Sequence, residues 1–311
     1  MNMEPSALPA SINNRPALRL VSTKGLSRDE WLQYRRQGIG SSDAAAAVGL
    51  NPYQSPLELW MIKTGRDTDL PQVDPTDDTS PMFWGTVLEP VVAERYACRT
   101  GNRVRRNNAV LQHPDPDKAW MLANIDREII GNPDVQILEC KTAGEFGARL
   151  WRDGVPEYVQ CQVQHQLAVT GKQAADVAVL ICGQELRVHR IERDDDLIAH
   201  LIELERRFWQ YVVTDTPPPV DGSESAGTAL QVLYTYDRGE TLDLSQDQEL
   251  SSAFSSLVVV RTELEAHKAT EALLKQQIQQ RMGEASRALF ASGSVSWKRS
   301  KAGTRRFVIN P

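Results

Sequence analysis

Asp126 and the triplet Glu139-Cys140-Lys141 are residues of this chain whose types and spacing could do chemistry. Side chains two apart on a strand share a face, so Glu139 and Lys141 point one way while Cys140 points back into a core. With Asp126 on the strand before, two carboxylates and an ammonium group converge at neighbouring strand ends. Such a set suits phosphodiester hydrolysis, in which hard divalent ions neutralise developing charge and activate water, and magnesium takes carboxylate and carbonyl oxygens. Asp126 and Glu139 supply those ligands, and Glu89, from a preceding helix, is a further carboxylate for a second ion. Lys141 would position the attacking water or stabilise the pentacovalent oxygens, since its compact ammonium acts as a point charge. A Glu-x-Lys triplet on a strand arises by chance roughly once in a few hundred residues. The setting is what gives it weight: of the nine lysines only Lys141 has an acid two positions before it, and it falls after an Asp-bearing strand and before a Gln-bearing helix.

The elements that must position these groups are legible in outline. Residues 1–25 carry scattered Pro and Asn without periodicity and read as a poorly ordered leader. Ser27 and Glu30 make a capping box for a short helix running to about Arg36, which Gly38 and Gly40 break. Ser42 and Asp43 can cap a second helix through the alanine run, and Ser55-Pro56 opens a third that Gly65 closes, so the first 65 residues read as helical. An acidic, Pro-containing loop follows, and Thr86 to Arg99 reads as a helix ended by Gly101, with Pro90 in its first turn and Glu89 therefore at its N-terminus. Three strands, 104–111, 119–128 and 135–141, form an expected antiparallel meander, the latter two joined by Gly131-Asn132-Pro133-Asp134. A helix over 157–170, strands over 176–182 and 185–191, and an amphipathic helix over 195–213 complete the order; Leu197, Leu201, Leu204, Phe208 and Val212 form the apolar stripe of that last helix. Pro217-Pro218-Pro219 then ends a main domain of residues 26–216, and residues 217–311 form an extension with a long Gln- and Glu-rich helix and a basic hairpin or tail.

The bulk numbers restrict the partners. The 311 residues are 41% hydrophobic and 24% charged, enough for one sizeable core and an appendage. No segment has the length of apolar chain that a membrane span requires, and the N-terminus lacks a secretory layout, so a cytoplasmic location is expected. The four cysteines, Cys98, Cys140, Cys161 and Cys182, stand singly and read as reduced, mostly buried thiols. A net charge of −6 means that any DNA surface must be local. Two patches qualify: Arg99, Arg103, Arg105 and Arg106, and Lys298, Arg299, Lys301, Arg305 and Arg306 in a tail without acids after Glu284. Either could equally be a solvated face.

A longer series of motifs resembles a known family. Trp31-Leu32-Gln33-Tyr34-Arg35-Arg36-Gln37-Gly38-Ile39-Gly40-Ser41-Ser42-Asp43, then Asn51-Pro52-Tyr53, Trp84-Gly85 with Glu89-Pro90, Asn124-Ile125-Asp126, Glu139-Cys140-Lys141 and Tyr158 to Gln164 resemble, in order, the motifs of the YqaJ-type viral recombinases, relatives of lambda exonuclease. The resemblance spans about residues 27–215. It implies an α/β (α+β) fold: a restriction-endonuclease-like PD-(D/E)XK core with a central mixed sheet flanked by helices, followed here by the C-terminal helical extension. The implied activity is a 5′ to 3′ exonuclease on double-stranded DNA ends that leaves 3′ single strands for annealing. The implied site has Glu89, Asp126, Glu139 and the backbone carbonyl of Cys140 holding two Mg2+ ions, with Mn2+ as a substitute, Lys141 at the nucleophilic water and Gln162 orienting that water or Lys141. Arg35 and Ser42 match positions that grip the 5′-terminal phosphate, and an Arg fork with a hydroxyl near a helix N-terminus makes an anion site. The loop there is longer than in lambda exonuclease, which leaves Arg35 and Arg36 as alternatives. The resemblance also implies a ring-like homotrimer, a single-strand annealing protein as partner, and a phage or prophage origin in a bacterial host.

The sequence departs from the fold's namesake Pro-Asp pair, because Asn124-Ile125-Asp126 stands there; the Asp is the metal-binding member. His113, His165 and His189 lack an i+4 His partner and read as structural. Tyr158 and Tyr53 could stack on bases or simply pack. Two rival functions keep the same motifs: an endonuclease or single-strand nuclease of the same superfamily, and an inactive DNA-end-binding module. The dispersed cysteines argue against an iron–sulfur version of the first, and retention of Glu89, Asp126, Glu139 and Lys141 argues against the second.

Overall fold

The computed structural model of the chain describes residues 17–74, 76–300 and 303–310. The chain divides into two units, residues 1–236 and 237–311. The first contains β1 (Leu18–Ser22), α1 (Arg28–Arg36), β2 (Ile39–Gly40), α2 (Ala44–Ala47), α3 (Pro56–Lys63), α4 (Pro81–Thr100), β3 (Arg103–Arg106), β4 (Ala109–Gln112), β5 (Met121–Ala123), β6 (Arg127–Ile130) and β7 (Ile137–Ala143). It continues with α5 (Glu157–Thr170), β8 (Ala174–Ile181), β9 (Glu185–Glu192), α6 (Asp195–Val213) and α7 (Glu224–Leu233). The second contains α8 (Gln248–Met282), β10 (Arg287–Phe290), β11 (Gly293–Arg299) and β12 (Arg305–Asn310). Among the described residues, no helix is long and apolar enough to cross a membrane.

Two sheets build the first unit. One has the order β1-β4-β5-β2 and the other β3-β6-β7-β8-β9; the second is antiparallel except where β7 runs parallel to β8. The expected three-strand meander is thereby corrected. The strands expected over 104–111 and 119–128 are each broken, at Asn107-Asn108 and at Asn124-Ile125-Asp126, and their halves belong to different sheets: β3 pairs with β6 and β4 pairs with β5. Short polar residues stand at both breaks, and their side-chain amides hydrogen-bond across to other strands where the backbone leaves the ladder. Asn124 does so through its side-chain amide, which donates to the Ala109 carbonyl at 3.1 Å. Asp126 therefore sits in the bend between two sheets, not within a strand.

The N-terminal reading is also corrected in part. Residues 1–16 of the expected leader lie outside the described residues, but Leu18–Ser22 is a strand that pairs antiparallel with β4. With β1 and β2 the first 65 residues are not wholly helical. The capping box of Ser27 and Glu30 is present on α1. Gly38 is required by a close approach, because a Cβ there would run into the Trp120 carbonyl.

Helix α5 is the centre of this unit. Val163, Leu167 and Val169 are fully buried, with Ile137, Val177 and Val179 from β7 and β8 in the same cluster. Each such side chain stabilises the fold by about 1.5–3 kcal/mol. Helix α6 packs nearby, but its stripe is rotated from the expected one: Ile198, Leu201, Glu205 and Phe208 are buried, whereas Leu197 and Leu204 are exposed. A charged residue takes the inward position because His165 meets it, with its Nδ1 2.7 Å from Glu205 Oε1 and its Nε2 2.9 Å from the Leu122 carbonyl. The triple proline does not end the unit, since α7 packs back on α3: Ser225 Oγ donates to Glu58 Oε2 at 2.6 Å, and Ala229 lies in the cluster with Trp60 and Phe208. Two cysteines are buried, Cys140 and Cys161, while Cys98 and Cys182 are exposed, against the expectation of mostly buried thiols.

In the second unit, α8 is followed by an antiparallel three-stranded meander of β10, β11 and β12. Arg305 stacks on the Trp297 ring at 3.7 Å and donates to the Gly283 carbonyl at 2.7 Å, so this residue of the basic patch serves the local fold. Lys301 lies outside the described residues.

Candidate active site

The bend at Asn124–Asp126 and strand β7 bring the singled-out groups together. Asp126 Oδ2 accepts the Cys140 backbone N–H at 2.9 Å, which holds its carboxylate beside the strand that carries Glu139 and Lys141. The alternation along β7 is as expected: Cys140 packs in the cluster with Tyr96 and Leu138, and Lys141 Nζ lies 2.8 Å from Glu139 Oε1. Gln162 of α5 joins them, donating from Nε2 to Glu139 Oε1 at 2.5 Å and accepting from Lys141 Nζ at 2.8 Å. A cavity of about 290 Å³ is lined by Glu89, Asp126, Glu139, Cys140, Lys141 and Thr142, among others.

Glu89 reaches this cavity from the middle of α4. The helix starts at Pro81, capped by Ser80, so Pro90 is interior and not in the first turn, contrary to expectation. Pro90 has no N–H for the Thr86 carbonyl, and the packing of Val92, Ala93 and Tyr96 offsets that loss. Glu89 Oε1 accepts from Arg127 Nη1 at 2.5 Å. Among the described residues, no three His, Cys, Asp or Glu side chains stand close enough to form a ready-made metal cage. The ion pair with Arg127 engages one oxygen of Glu89.

The electrostatics are those of crowded, buried acids. Burial and the neighbouring Glu139 push the Asp126 carboxyl up to about 8, against the weaker pull of Lys141 and the Cys140 N–H. Burial alone would lower the Lys141 ammonium, but Glu139 and Asp126 outweigh it and hold it above its ordinary value, so it stays charged. Burial raises the Cys140 thiol, which excludes it as a nucleophile.

A second cluster forms around Arg35. Its Nη2 donates to Ser42 Oγ at 2.8 Å, its guanidinium pairs with Asp43, and its Cζ lies 4.8 Å from the Trp31 ring centre. Arg36 is elsewhere, donating to Asp67 at 2.8 and 3.0 Å, so of the two candidates only Arg35 joins Ser42. Sequence reasoning missed the core of this cluster: buried Lys63 lies 2.6 Å from Asp43 Oδ2 and donates to the Arg35 carbonyl at 2.8 Å. Burial would raise the Asp43 carboxyl, but Arg35 and Lys63 bring it down to about 2. In the sequence Asp43 was legible as a helix cap and as the last residue of the first family motif, and no local pattern marked Lys63. Tyr158 meets Tyr53 edge-on, with ring centres 5.9 Å apart.

Gln166 and Arg127 were missed as well. Both are buried within a charged neighbourhood that no local pattern marks: Gln166 donates to Glu139 Oε2 at 2.8 Å and Arg127 to Glu89. None of His113, His165 or His189 lines the cavity. Of the first arginine patch, Arg105 pairs with Glu128 and Arg99 donates to the Leu186 carbonyl.

Fold and cavity together define a mixed α/β protein that gathers carboxylates and an ammonium group where a strand changes sheets. Residues 30–173 match the YqaJ-like viral recombinase domain. The uncharacterized protein YqaJ of Bacillus subtilis (strain 168) is 35% identical over 285 residues, which is 90% of this chain and 86% of that protein. The chain belongs to the YqaJ-like viral recombinase family. Among solved structures it is similar to an alkaline exonuclease from Laribacter hongkongensis, with a TM-score of 0.48 and 24% identity, covering 60% of this chain and 93% of that one. The same exonuclease in complex with dAMP gives a TM-score of 0.48 and 25% identity over the same shares, 60% and 93%.

Proposed function

We propose that this protein is a metal-dependent exonuclease with a PD-(D/E)XK core that digests the 5′ strand of double-stranded DNA from free ends. One observation carries the reading: Glu89, Asp126, Glu139 and Lys141 line one cavity, with Asp126 held by the Cys140 N–H and Lys141 Nζ 2.8 Å from Glu139 Oε1. Two acids pressed together in a desolvated cavity gain most from a bound cation, and an all-oxygen donor set fits magnesium or manganese. Glu89, Asp126, Glu139 and the Cys140 carbonyl would hold two such ions. Bound there, the ions would supply Lewis-acid stabilisation of the phosphoryl oxygens and a lowered pKa for water. Lys141, held by Glu139 and Gln162, presents its ammonium to the attacking water or to the developing negative charge. Gln162 fixes the direction of that ammonium by accepting one of its protons.

Arg35 with Ser42 would receive the 5′-terminal phosphate, the guanidinium being oriented by Asp43 and by the Trp31 ring. Arg36, held by Asp67, has no part in it. Tyr158, edge-on to Tyr53, would offer a face to a terminal base. A ring-like homotrimer around the duplex, and an annealing protein that takes the 3′ strand inside a bacterial cytoplasm, complete the reading.

The test compares an end-labelled, 5′-phosphorylated linear duplex with a closed circular plasmid, with magnesium or with EDTA. The linear duplex is expected to lose 5′ nucleotides only with magnesium while the circle stays intact. Circles cut at a comparable rate would make the protein an endonuclease, and an untouched duplex would make it an end-binding module.

A further inference from the structure

The bend between β5 and β6 takes two backbone carbonyls, those of Asn124 and Asp126, out of the strand ladder. Each is met by a buried side chain that also grips a carboxylate of the cavity. Gln166 Nε2 donates to the Asn124 carbonyl at 3.1 Å and to Glu139 Oε2 at 2.8 Å. Arg127 Nη1 donates to the Asp126 carbonyl at 2.7 Å and to Glu89 Oε1 at 2.5 Å. We propose that Gln166 and Arg127 are positioning residues that lock this bend to Glu139 and Glu89, and so set the spacing of the three carboxylates for a divalent cation.

This inference rests on the reading of the cavity as a metal site, and three features favour it over general packing. Gln166 is fully buried, yet among the described residues its Oε1 has no partner, a condition native proteins usually avoid. The side chain is thus held for its two N–H donors, which a neutral amide can offer beside Glu139 without adding a charge. Gln162 grips the other oxygen of Glu139, so the two glutamines, one helical turn apart on α5, fix both carboxylate oxygens from one rigid face. Arg127 is buried on β6, and its neighbours in the ladder are Arg106 and Leu138, so Glu89 is its ion-pair partner. Ser41 adds a weaker bond to the Asn124 carbonyl at 3.3 Å, which leaves Gln166 the only one of these donors to span bend and β7.

The experiment is calorimetric titration of the full chain with Mn2+ alone, for wild type, Gln166→Met, Gln166→Asn, Arg127→Met and Arg127→Lys, with circular dichroism to verify folding. The two Met variants keep side-chain volume without donors and are expected to weaken Mn2+ binding by about tenfold or more, the usual effect of losing a group that orients a metal ligand. Arg127→Lys keeps a cation that can still bridge, and is expected to recover part of the loss. On linear duplex, the Met variants should lose kcat while KM for DNA stays unchanged, a split that a merely structural defect would not give. Should Gln166→Met fail to fold, Gln166→Asn, which withdraws the same amide by one methylene, carries the same expectation. Folded variants that bind Mn2+ with wild-type affinity overturn the proposal while leaving the metal site intact. A wild type that neither binds Mn2+ nor cleaves duplex overturns the parent reading, and this one with it.

Discussion

Lys141 and Asp126 make opposite demands on the same cavity, and each can be tested by a single substitution. Removing the Lys141 ammonium leaves the carboxylates in place, so Lys141→Ala should lose about 10²–10³ in hydrolysis rate with DNA binding largely kept. Single-turnover digestion beside an equilibrium binding measurement checks this, and a parallel loss of binding would contradict it. Asp126 gives a pH signature. Its folded carboxyl, near 8, holds a proton that the unfolded chain releases near its ordinary value of 3.8. The resulting stabilisation is present in full below that ordinary value and is lost as pH rises toward 8, so metal-free protein should become less stable across this window. Denaturant unfolding at several pH values with EDTA should show that decline, and Asp126→Asn should flatten it. Asp43 runs the other way: held down to about 2, it stabilises the fold at neutral pH, and its contribution disappears only as pH falls through about 2.

At the scale of elements, α5 ties the cavity to the core. One of its faces presents Gln162 and Gln166 to Glu139, while His165 is buried against Glu205 of α6. Burial alone would lower the His165 imidazolium, but Glu205 outweighs it and raises its pKa. Breaking such a pair leaves a buried polar group without its partner, so Glu205→Ala should destabilise the protein by about 3–5 kcal/mol. The midpoint and slope of urea unfolding measure this, and a loss below about 1 kcal/mol would mean that the pair is readily replaced by packing. The rotated stripe of α6 follows from the same contact. Hydrophobic spacing nominated Leu197 and Leu204, but a partner for His165 was worth an inward-facing Glu205, and those leucines turn to solvent.

For the whole molecule, the position of the boundary decides what a truncation does. Helix α7 belongs with the first unit, so a chain ending at Tyr236 should retain cooperative unfolding and hydrolysis. Ending at Pro219 instead removes Ala229 from the cluster with Trp60 and Phe208, and leaves Ser55 and Glu58 without Ser225. That shorter chain should melt several degrees lower, as expected when a core loses a packed helix. Thermal melts of the two truncations side by side test the difference; equal melting temperatures would place the boundary at the triple proline. The Tyr236 truncation also tests the basic tail, since unchanged salt dependence of DNA affinity would exclude it from the DNA surface.

The sequence by itself determined the local features: the capping box of α1, the Ser55-Pro56 start of α3, the extent of α5, and the alternation that sets Glu139 and Lys141 on one side of β7 and Cys140 on the other. Caps and periodicities act within a few residues, so they survive in a one-dimensional reading. Only the tertiary structure decided that two expected strands each divide between sheets, that Pro90 lies inside a helix, and that Lys63, Arg127 and Gln166 stand at the charged sites. These outcomes depend on contacts between segments far apart in the chain, where the desolvation of one charged group is compensated by another that no local pattern links to it.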